Sequence, residues 1–350
     1  MSENSISKTL IAWYQQNKRE LPWRNINDPY KIWVSEIILQ QTRVAQGIDY
    51  YYRFIQRFPN IESLAKAHED EVLKYWQGLG YYSRARNMHK AAYQIINEYK
   101  GIFPNQYKDV IDLKGIGTYT AAAICSFAFG QPYAVVDGNV YRVLSRLFNI
   151  DTAIDSNTGQ KYFAQLAQEL LDKKRPANHN QAIMEFGALQ CIPSSPNCAD
   201  CVLNDICLAY KNNTVALLPI KSQKIKVKKR YFNYIHIVFK GNTYFKQRNE
   251  NDIWKNLYEF PLIETDKLLS TDELLANTEF IHLFQNINSV SIEKVSTAKK
   301  HILTHRQIFA QFISIAINEK NEIIEQMLEV DKETRDNYAI SRLMELFFEK

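Results

Sequence analysis

The sequence predicts a mainly α-helical N-terminal region followed by an α+β domain, and three observations lead to this prediction. From the N-terminus to about residue 210, apolar residues recur at intervals of three and four, which is the period of amphipathic helices. A short stretch rich in cysteine ends this region. From Tyr231 onward, β-branched and aromatic runs replace the helical pattern. We therefore predict a helical region at 1–210, a linker at 211–230 and an α+β domain at 231–350.

The first region divides into separate helices, because short breaks containing Gly, Pro or Asn interrupt the apolar pattern. These breaks are PWRNINDP, RFPN, GLG, GIFPN, GIG, FGQP and DGN. The helices predicted between them are IAWYQQ, KIWVSEIILQQ, AQGIDYYYRFIQRF, EDEVLKYWQ, RARNMHKAAYQIINEYK, TYTAAAICSFAFG, NVYRVLSRLF, GQKYFAQLAQELLDKK and NQAIMEFGALQ.

The second region is recognised by its composition and by the lysine-rich segment that precedes it. We interpret the linker KNNTVALLPIKSQKIKVKKR as a solvated tether, and a binding site for phosphate groups is the alternative. After the linker, YFNYIHIVFK, NTYFKQR and RQIFAQFISIAI are typical of strands. TDELLAN and NYAISRLMELFFEK are typical of helices. The mixture predicts an α+β domain.

The composition limits the function classes open to the chain. A length of 350 residues favours two domains, and 46% hydrophobic residues supply enough apolar surface for folded cores. The net charge of +5 fits a polyanionic partner without establishing one. No apolar run approaches the ~20 residues of a membrane span, and the N-terminus lacks the apolar core of a signal peptide. We expect a soluble, cytoplasmic monomer with no membrane partner, associated with the nucleoid if the source is bacterial.

Four cysteines share one short stretch in the spacing C-x6-C-x2-C-x5-C: Cys191, Cys198, Cys201 and Cys207. Four thiolates that converge can hold one metal centre, either a tetrahedral zinc ion or a four-iron cluster. Two disulfides are the alternative, but the expected reducing compartment favours metal binding. The fifth cysteine, Cys125, stands alone in an apolar helical run and is interpreted as a core residue. The spacing leaves iron and zinc both open.

A two-glycine turn joins two predicted helices at Gly115-Ile116-Gly117. Glycine permits a positive φ and removes the side chain, so the backbone N–H groups that begin the next helix can approach a DNA phosphate closely. An ordinary tight turn between helices is the alternative. Together, the cysteine spacing and this turn resemble the endonuclease III superfamily of DNA glycosylases.

This resemblance implies a helix-hairpin-helix glycosylase fold, with a six-helix barrel plus an iron-sulfur cluster domain. It implies that the four cysteines hold a [4Fe-4S] cluster and that Asp137, in the run VVDGNVYR, is catalytic. Asp137 precedes an amphipathic helix, so capping is its simplest role, and the helix dipole favours its ionised form. Members that also nick DNA carry a lysine where this chain has Tyr119. A phenol cannot form a Schiff base, so we expect a glycosylase without efficient lyase activity.

Three further runs look like the MutY family of adenine glycosylases: LPWR, VSEIILQQTRV and GLGYYSRARN. The family resemblance implies hydrolysis of the N-glycosidic bond of adenine paired with 8-oxoguanine or guanine in double-stranded DNA. It makes Glu36 the general acid that protonates adenine, at N7 in the family's mechanism, and then helps to activate water. Tyr119 and Asn139 match residues that order this site. From the helix pattern alone, an exposed Glu36 on the polar face is the alternative.

The resemblance also assigns the residues that recognise the substrate. Residues implied to bind adenine are Arg19, Trp23, Arg24, Leu39, Val44 and Gln181. Gln181 stands where the resemblance implies an acidic residue, and Trp23 could equally anchor a core. Residues implied to contact DNA are Gln41, Leu79, Tyr81, Gly115 and Gly117, with Gln41 and Tyr81 inserting beside the mispaired base.

The resemblance makes the second region a Nudix-like domain that recognises 8-oxoguanine. No Arg-Glu-x-x-Glu-Glu run follows its last glycine, Gly241, so we expect no pyrophosphate hydrolysis. Leu303-Thr304-His305 is the nearest match to the family's Phe-Ser-His loop and implies lesion contacts from Thr304 and His305. An ordinary strand end is the alternative for this loop. Two other functions remain open: a glycosylase for thymine in G:T pairs, and a non-catalytic iron-sulfur or zinc DNA-binding module.

Overall fold

The structure is a computed structural model that describes residues 3–222, 227–249 and 252–349. Part of the predicted linker, residues 223–226, therefore lies outside the described residues. In the ranges described, no helix has the length and apolar character needed to cross a membrane.

Helices make up the chain from its N-terminus to the cysteine stretch, in agreement with the periodicity of the sequence. Their bounds in chain order are α1 Glu3–Asn17, α2 Pro29–Leu39, α3 Val44–Arg57, α4 Ile61–Lys66, α5 Glu69–Trp76, α6 Ser83–Glu98, α7 Tyr107–Ile111, α8 Thr118–Phe129, α9 Gly138–Leu147, α10 Asn157–Leu170, α11 Pro176–Leu189 and α12 Leu208–Lys211.

Two of these helices begin at an aspartate that caps the helix N-terminus. The two caps fix the positions of polar residues in the candidate site. Asp28 caps α2 by accepting hydrogen bonds from the N–H groups of Tyr30 and Lys31, and Pro29 fits the first turn. Asp137 caps α9 in the same way, accepting from the N–H of Val140 at 2.8 Å. Both caps set a carboxylate at the positive end of a helix.

Helices α1, α9, α10 and α11 enclose one hydrophobic core, to which Leu10, Leu144, Phe163 and Phe186 contribute fully or almost fully buried side chains. Burial on this scale stabilises each side chain by roughly 1.5–3 kcal/mol relative to exposure. Helix α2 packs against α3 and α8 and is itself buried over most of its surface. The packing therefore brings the middle of α2 into the interior.

Strands and short helices form the rest of the chain. Their bounds are β1 Lys228–Phe239, β2 Asn242–Gln247, β3 Tyr258–Glu259, β4 Leu262–Thr265, α13 Thr271–Leu275, α14 Thr278–Leu283, β5 Val290–Val295, β6 Lys299–Leu303, β7 Arg306–Ile317, α15 Glu322–Glu325, β8 Leu328–Val330 and α16 Arg342–Phe348.

The strands form a mixed sheet with the central order β3-β2-β1-β7-β5. Strands β1 and β7 run parallel, with Tyr234 opposite Phe312 and Ile235 opposite Ile313. Because side chains alternate along a strand, each pair faces a different core. The isoleucines pack with α13 and α14, and the aromatic pair packs with α16. Both faces of the sheet are therefore covered, as the predicted α+β domain requires.

The last predicted helix begins later than its sequence pattern suggests. In NYAISRLMELFFEK, the helix starts at Arg342, and Ser341 caps it by accepting from the N–H of Met344. The preceding residues continue the sheet, because Ala339 accepts a 2.8 Å hydrogen bond from the N–H of Tyr258. This backbone hydrogen bond to β3 keeps the residues before Ser341 out of the helix that their apolar spacing predicts.

Two compact units result: the first comprises Met1–Lys66 and Asn87–Gln223, and the second comprises Ala67–Arg86 and Lys224–Lys350. The segment 67–86 lies inside the region that the sequence assigns to helices, yet it groups with the sheet.

Polar contacts attach this segment to the sheet unit. Asp70 accepts from the hydroxyl of Tyr258 at 3.1 Å, and Gln77 donates to Glu345 at 2.5 Å. Helical periodicity predicts that α5 forms but carries no information about which core receives it.

Candidate active site

One cavity of about 570 Å³ in the first unit gathers most of the residues singled out from the sequence. Those that line it are Arg19, Trp23, Arg24, Glu36, Leu39, Gln41, Val44, Tyr119, Asp137, Asn139 and Gln181. They come from segments separated by up to half the chain, so the fold rather than local sequence brings them together.

Glu36 lies on α2 and is only 7% exposed, so it is not on a solvated face of the helix. The hydroxyl of Tyr119, on α8, donates a hydrogen bond of 2.8 Å to its Oε2. The pKa of Glu36 is raised to about 7. Burial is the main cause, the negative charge of Asp137 adds to the increase, and the hydrogen bond from Tyr119 opposes it. The Glu36 carboxyl group can therefore hold a proton near neutral pH.

Asp137 differs from Glu36 in its hydrogen bonds. Besides the Val140 N–H at its Oδ1, it accepts from the side-chain amide of Asn139 at 2.8 Å on Oδ2. Burial raises the pKa of Asp137, which opposes the effect expected from the helix N-terminus alone. These hydrogen bonds and the charge of Arg142 lower the pKa in turn, but burial has the larger effect and the pKa of Asp137 stays above its ordinary value.

Arg142 connects this carboxylate to the cysteine stretch. It donates from Nη2 to Oδ1 of Asn139 at 2.9 Å and to the carbonyl oxygen of Gly187 at 2.7 Å. Its Nε donates to the carbonyl oxygen of Cys191 at 2.8 Å. Gly187 permits this approach of α11 to α9, since a Cβ there would lie 2.7 Å from Cβ of Asn139. The position of Asn139 therefore depends on α11 and on the cysteine stretch.

Apolar and amide side chains complete the cavity wall. Trp23 meets Tyr51 edge to face at 5.3 Å between ring centroids, which fixes the plane of the indole. Leu39 and Val44 add aliphatic surface to the same cavity. Gln181 accepts a 2.5 Å hydrogen bond from the hydroxyl of Tyr14. A flat, hydrogen-bonding ring such as a purine suits this combination of surfaces.

The four cysteines are free thiols that line a separate small cavity with Arg146. Burial raises the pKa of Cys201 to about 11, and the charges of Cys191, Cys207 and Cys198 add to that increase. Arg146 donates to Sγ of Cys191 at 3.5 Å. Over the ranges that the structure describes, no group of three or more His, Cys, Asp or Glu is arranged to hold a metal ion. The thiols share a cavity but do not form a closed ligand set.

The predicted two-glycine turn lies between α7 and α8. Gly115 has a φ of +79°, and a Cβ there would lie 2.5 Å from Cβ of Asn87, so both the backbone conformation and the close approach require glycine. Gly117 caps α8 with an extended backbone, and a Cβ there would meet no atom within 4 Å. The contacts of the protein itself therefore do not explain glycine at 117.

The second unit contains its own cavity, of about 580 Å³, where the remaining predicted DNA contacts meet. Leu79 and Tyr81 line it together with Thr304 and His305. Thr304 and His305 are the exposed two-residue turn between β6 and β7. Leu79 is buried, whereas Tyr81 is 46% exposed and shares a hydrogen bond between its hydroxyl and that of Thr304. Trp254 also lines this cavity and is not singled out by the sequence interpretation.

Two family models match the sequence, and curated relatives span most of it. The HhH-GPD superfamily base excision DNA repair protein matches residues 34–172, and the NUDIX domain matches residues 233–350. The adenine DNA glycosylase of Buchnera aphidicola subsp. Baizongia pistaciae (strain Bp) is 36% identical over 320 residues, covering 89% of this chain and 86% of the relative. The chain belongs to the adenine DNA glycosylase family. It is accordingly a DNA glycosylase of base excision repair.

Other relatives support the helical unit in particular. The adenine DNA glycosylase of Mus musculus is 44% identical over 216 residues, covering 59% of this chain and 42% of the relative. A solved thermostable thymine-DNA glycosylase gives a TM-score of 0.56 at 30% identity, covering 60% of this glycosylase and 97% of that chain. The predicted fold class, a helix-hairpin-helix glycosylase region followed by a Nudix-like domain, is confirmed.

The glycosylase also places in its active-site cavity an acidic residue that the sequence interpretation misses. Glu185 lies on α11 with a side chain 2% exposed, and it binds the guanidinium groups of Arg19 and Arg24. Although burial raises the pKa of Glu185, these hydrogen bonds lower it to about 2. The sequence signal for Glu185 is an acid inside an apolar helical run, NQAIMEFGALQ, whereas Glu36 is singled out by the family resemblance of its flanking residues.

Proposed function

We propose that this glycosylase removes adenine paired with 8-oxoguanine or guanine, by hydrolysing the N-glycosidic bond of an adenine flipped out of duplex DNA. The observation that carries the proposal is a protonatable Glu36 in the same cavity as the helix-capping carboxylate of Asp137. Two carboxyl groups held in different hydrogen-bonding environments can serve as acid and as cation stabiliser.

The reaction begins with proton transfer from Glu36 to the flipped adenine, at N7 in the family's mechanism. Protonation weakens the bond between C1′ of the sugar and N9 of the base, and the electron pair of that bond leaves with adenine. The carboxylate of Asp137 offsets the positive charge that develops at C1′. Glu36, now ionised, accepts a proton from the water that attacks C1′ and so returns to its protonated state.

Tyr119 supports the assignment of this glycosylase as monofunctional. Its hydroxyl donates to Glu36 and so holds the acid in place, while a phenol offers no amine for a Schiff base. We therefore propose an abasic site as the product, without efficient β-elimination. Rapid strand scission by the pure protein, without heat or alkali, would contradict this part of the proposal.

Backbone conformation supports the roles of the two residues proposed to enter the base stack. Gln41 and Tyr81 are both exposed, and both have a positive φ, of 56° and 49°. Non-glycine residues in this region cost about 1–3 kcal/mol and cluster at functional sites. Flipping a base costs a few kcal/mol and leaves a gap in the stack, which inserted side chains can fill.

The glycine turn supports a phosphate contact at the start of α8. Gly117 exposes the first N–H groups of that helix, and no protein atom occupies the space that a side chain would take. A helix N-terminus carries free N–H donors and a partial positive charge, which suit a phosphate group. We propose that the backbone of double-stranded DNA approaches Gly115 and Gly117 closely.

The second cavity is proposed to read the base opposite adenine. 8-Oxoguanine carries a hydrogen on N7, whereas guanine has a lone pair there. A hydroxyl can both donate and accept, so Thr304 can accept from the N7 hydrogen of the oxidised base. Its hydrogen bond to Tyr81 and the neighbouring His305 support a polar reading site in this cavity.

The four cysteines are proposed to hold a [4Fe-4S] cluster. Four thiols around one small cavity, with the guanidinium of Arg146 beside them, suit an anionic cluster of iron and sulfide. The cluster would order the cysteine stretch, whose Cys191 carbonyl oxygen holds Arg142. Absorption of the purified protein near 400 nm tests for iron, and zinc without that absorption would contradict the assignment.

The decisive experiment measures release of free adenine from an 8-oxoG:A duplex by the wild type and by Glu36→Gln. We expect single-turnover excision by the wild type, and loss of excision with retained duplex binding in the variant. Near-normal excision by Glu36→Gln would contradict the mechanism. A parallel T:G duplex tests the thymine alternative, which the resemblance to a thymine-DNA glycosylase makes worth including. Detection of free adenine excludes a non-catalytic DNA-binding module.

A further inference from the structure

The loop 252–256 of the second unit contacts the turn that is proposed to read the base opposite adenine. Asp252 binds the guanidinium group of Arg306, with 3.2 Å between Oδ1 of the aspartate and Nη2 of the arginine. Arg306 directly follows the turn Thr304–His305 and pairs with Leu303 across it. The ion pair therefore lies where the turn closes.

A second contact joins the same loop to the strand that leads into the turn. The indole ring of Trp254 meets the imidazole ring of His301 at 5.7 Å between ring centroids. His301 lies on β6, the strand that ends at Leu303. Trp254 has a φ of +59°, which a bulky residue adopts rarely and keeps only where surrounding contacts maintain it. One ionic and one aromatic contact thus connect the loop to the hairpin.

The sheet holds Asp252 in place. Its Oδ2 binds Arg230, and it binds Nη2 of Arg248 at 3.1 Å. These two arginine side chains are only 10% and 6% exposed, whereas that of Arg306 is 36% exposed. Two acids on β3 and β4 bind the two arginines in turn: Glu259 and Glu264. Because Oδ2 is held by two largely buried cations, Oδ1 is directed toward the more exposed Arg306.

The loop also contacts the segment that carries Tyr81. The carbonyl oxygen of Lys255 accepts a hydrogen bond of 2.8 Å from Nη1 of Arg86, at the end of the segment 67–86. Within that segment, the hydroxyl of Tyr81 shares a hydrogen bond with the hydroxyl of Thr304. The loop is therefore connected to both chain segments whose hydroxyl groups meet in this cavity.

We propose that Asp252 is a positioning residue for base recognition, which fixes the Thr304–His305 turn through its ion pair with Arg306. This inference rests on the proposed function of that turn. An exposed turn of two residues has few contacts of its own, so its conformation depends on the residues that flank it. Hydrogen bonds weaken steeply when donor and acceptor are misaligned, so a displaced Thr304 would distinguish 8-oxoguanine from guanine less well.

The alternative role for Arg306 is a direct contact with a DNA phosphate group. The ion pair supports the positioning role, because a phosphate group would have to compete with the carboxylate that already binds this guanidinium. The two roles also predict different results. A phosphate contact adds affinity for every duplex alike, whereas a positioning contact changes the preference between two duplexes that differ in one base.

The test compares single-turnover adenine excision from 8-oxoG:A and G:A duplexes by the full-length wild type and Arg306→Gln. We expect the preference for 8-oxoG:A to fall by roughly 3–10-fold, because a partly exposed ion pair contributes less than a base contact. Arg306→Lys keeps a cation within reach of Asp252 and should retain most of the preference. An equal loss of binding to both duplexes, with a weaker salt dependence and an unchanged preference, would assign Arg306 to the DNA backbone and overturn the inference.

A double-mutant cycle shows whether Arg306 acts through the turn. In a background carrying Thr304→Ala and His305→Ala, Arg306→Gln should cause no further loss of preference, since no base-contacting side chain of the turn is left to position. A further loss in that background would mean that Arg306 contributes by another route, which contradicts the proposal.

Asp252→Asn tests the carboxylate itself and should reproduce the loss of preference seen in Arg306→Gln. If Asp252→Asn does not fold, because two largely buried arginines lose a partner, Arg306→Gln still decides the question. Arg335→Gln is the matched control, since Arg335 forms an ion pair with Asp336 in the same unit and lies outside the cavity wall. A reduced preference in this control would indicate a general effect of lost positive charge and would overturn the inference.

The outcomes separate this inference from the proposed function. A preference that is unchanged in Arg306→Gln and Asp252→Asn, but lost in Thr304→Ala with His305→Ala, would overturn the positioning role alone. A preference that is unchanged in all of these variants would overturn the role of the turn and the inference with it. Absence of adenine release by the wild type would overturn the proposed function itself.

Discussion

The cavity around Glu36 and the cavity around Thr304 are built from different kinds of structure. The first is enclosed by helices and helix ends, and its acids Glu36 and Glu185 are buried among hydrogen-bond partners. The second is lined by exposed turns, including the two-residue loop between β6 and β7. Bond cleavage requires perturbed pKa values, which burial supplies, whereas recognition of a base in a duplex requires accessible side chains. Substitutions in the two cavities should therefore affect different steps.

The largest effect should come from removing charge in the buried cavity. We expect Asp137→Asn to lower single-turnover excision by roughly 10²–10³-fold, the range found when one electrostatic stabiliser is lost. Asparagine still caps helices well, so the melting temperature should change little. Exposed Asp151→Asn is the control and should retain full activity. A fall in thermal stability that matches the fall in rate would mean that Asp137 only caps α9.

A smaller effect is expected from the exposed cavity. Thr304→Ala combined with His305→Ala should reduce the preference for 8-oxoG:A over G:A by about 10–100-fold, since one good base contact discriminates by ~1–3 kcal/mol. Excision from G:A should stay close to that of the wild type. Exposed Thr297→Ala, outside the cavity wall, serves as the control. An unchanged preference for 8-oxoG:A over G:A would show that this loop does not recognise the lesion. It would also contradict the proposal that the two cavities serve different steps.

The pH response should sharpen the comparison, because Glu36, the proposed acid, has a raised pKa and lies in the buried cavity. Burial raises the pKa of Glu36 to about 7, so its proton is present below that pH and lost above it. Excision should therefore decline by about tenfold for each pH unit well above 7. Binding to a duplex with an uncleavable adenine analogue should not follow the same curve. A rate that rises through pH 7 would indicate that Glu36 acts only in its ionised form.

The smallest effect should be on stability, and it should increase as pH rises through about 7. Because the pKa of Glu36 is raised in the folded protein, its stabilising contribution is full below its ordinary pKa and lost as pH rises through about 7. Glu36→Gln should therefore raise the free energy of unfolding at pH 8 by about 1–3 kcal/mol and change it less at pH 5. Urea unfolding at both pH values measures the difference. Equal stabilisation at both would rule out an ionisation effect.

The sequence predicted the fold best where a local residue pattern determines the backbone conformation. Local periodicity predicts the helical region and the strands, and glycine predicts the turn at Gly115. The structure contains all three. The candidate residues of the active site also converge, although their chemical roles stay predictions. Those residues could be named in advance only because the resemblance linked segments that lie far apart in the chain.

What the sequence could not supply depends on tertiary partners. Glu185 reads as one acid in an apolar helix, and its importance appears only when α11 meets Arg19 and Arg24. The raised pKa of Asp137 follows from burial that its capping position does not reveal. The late start of α16 follows from the pairing of Ala339 with Tyr258. Each case involves a contact between residues distant in sequence.

The allocation of Ala67–Arg86 to the sheet unit has a consequence for dissecting the protein. A fragment ending near residue 223 would retain α5 while losing Tyr258 and Glu345, to which Asp70 and Gln77 are bonded. Limited proteolysis should consequently release no intact N-terminal fragment that resists further digestion, since the second unit includes Ala67–Arg86 from within the first unit's stretch of sequence. The boundary between the two units in the fold therefore does not coincide with a single boundary in the sequence.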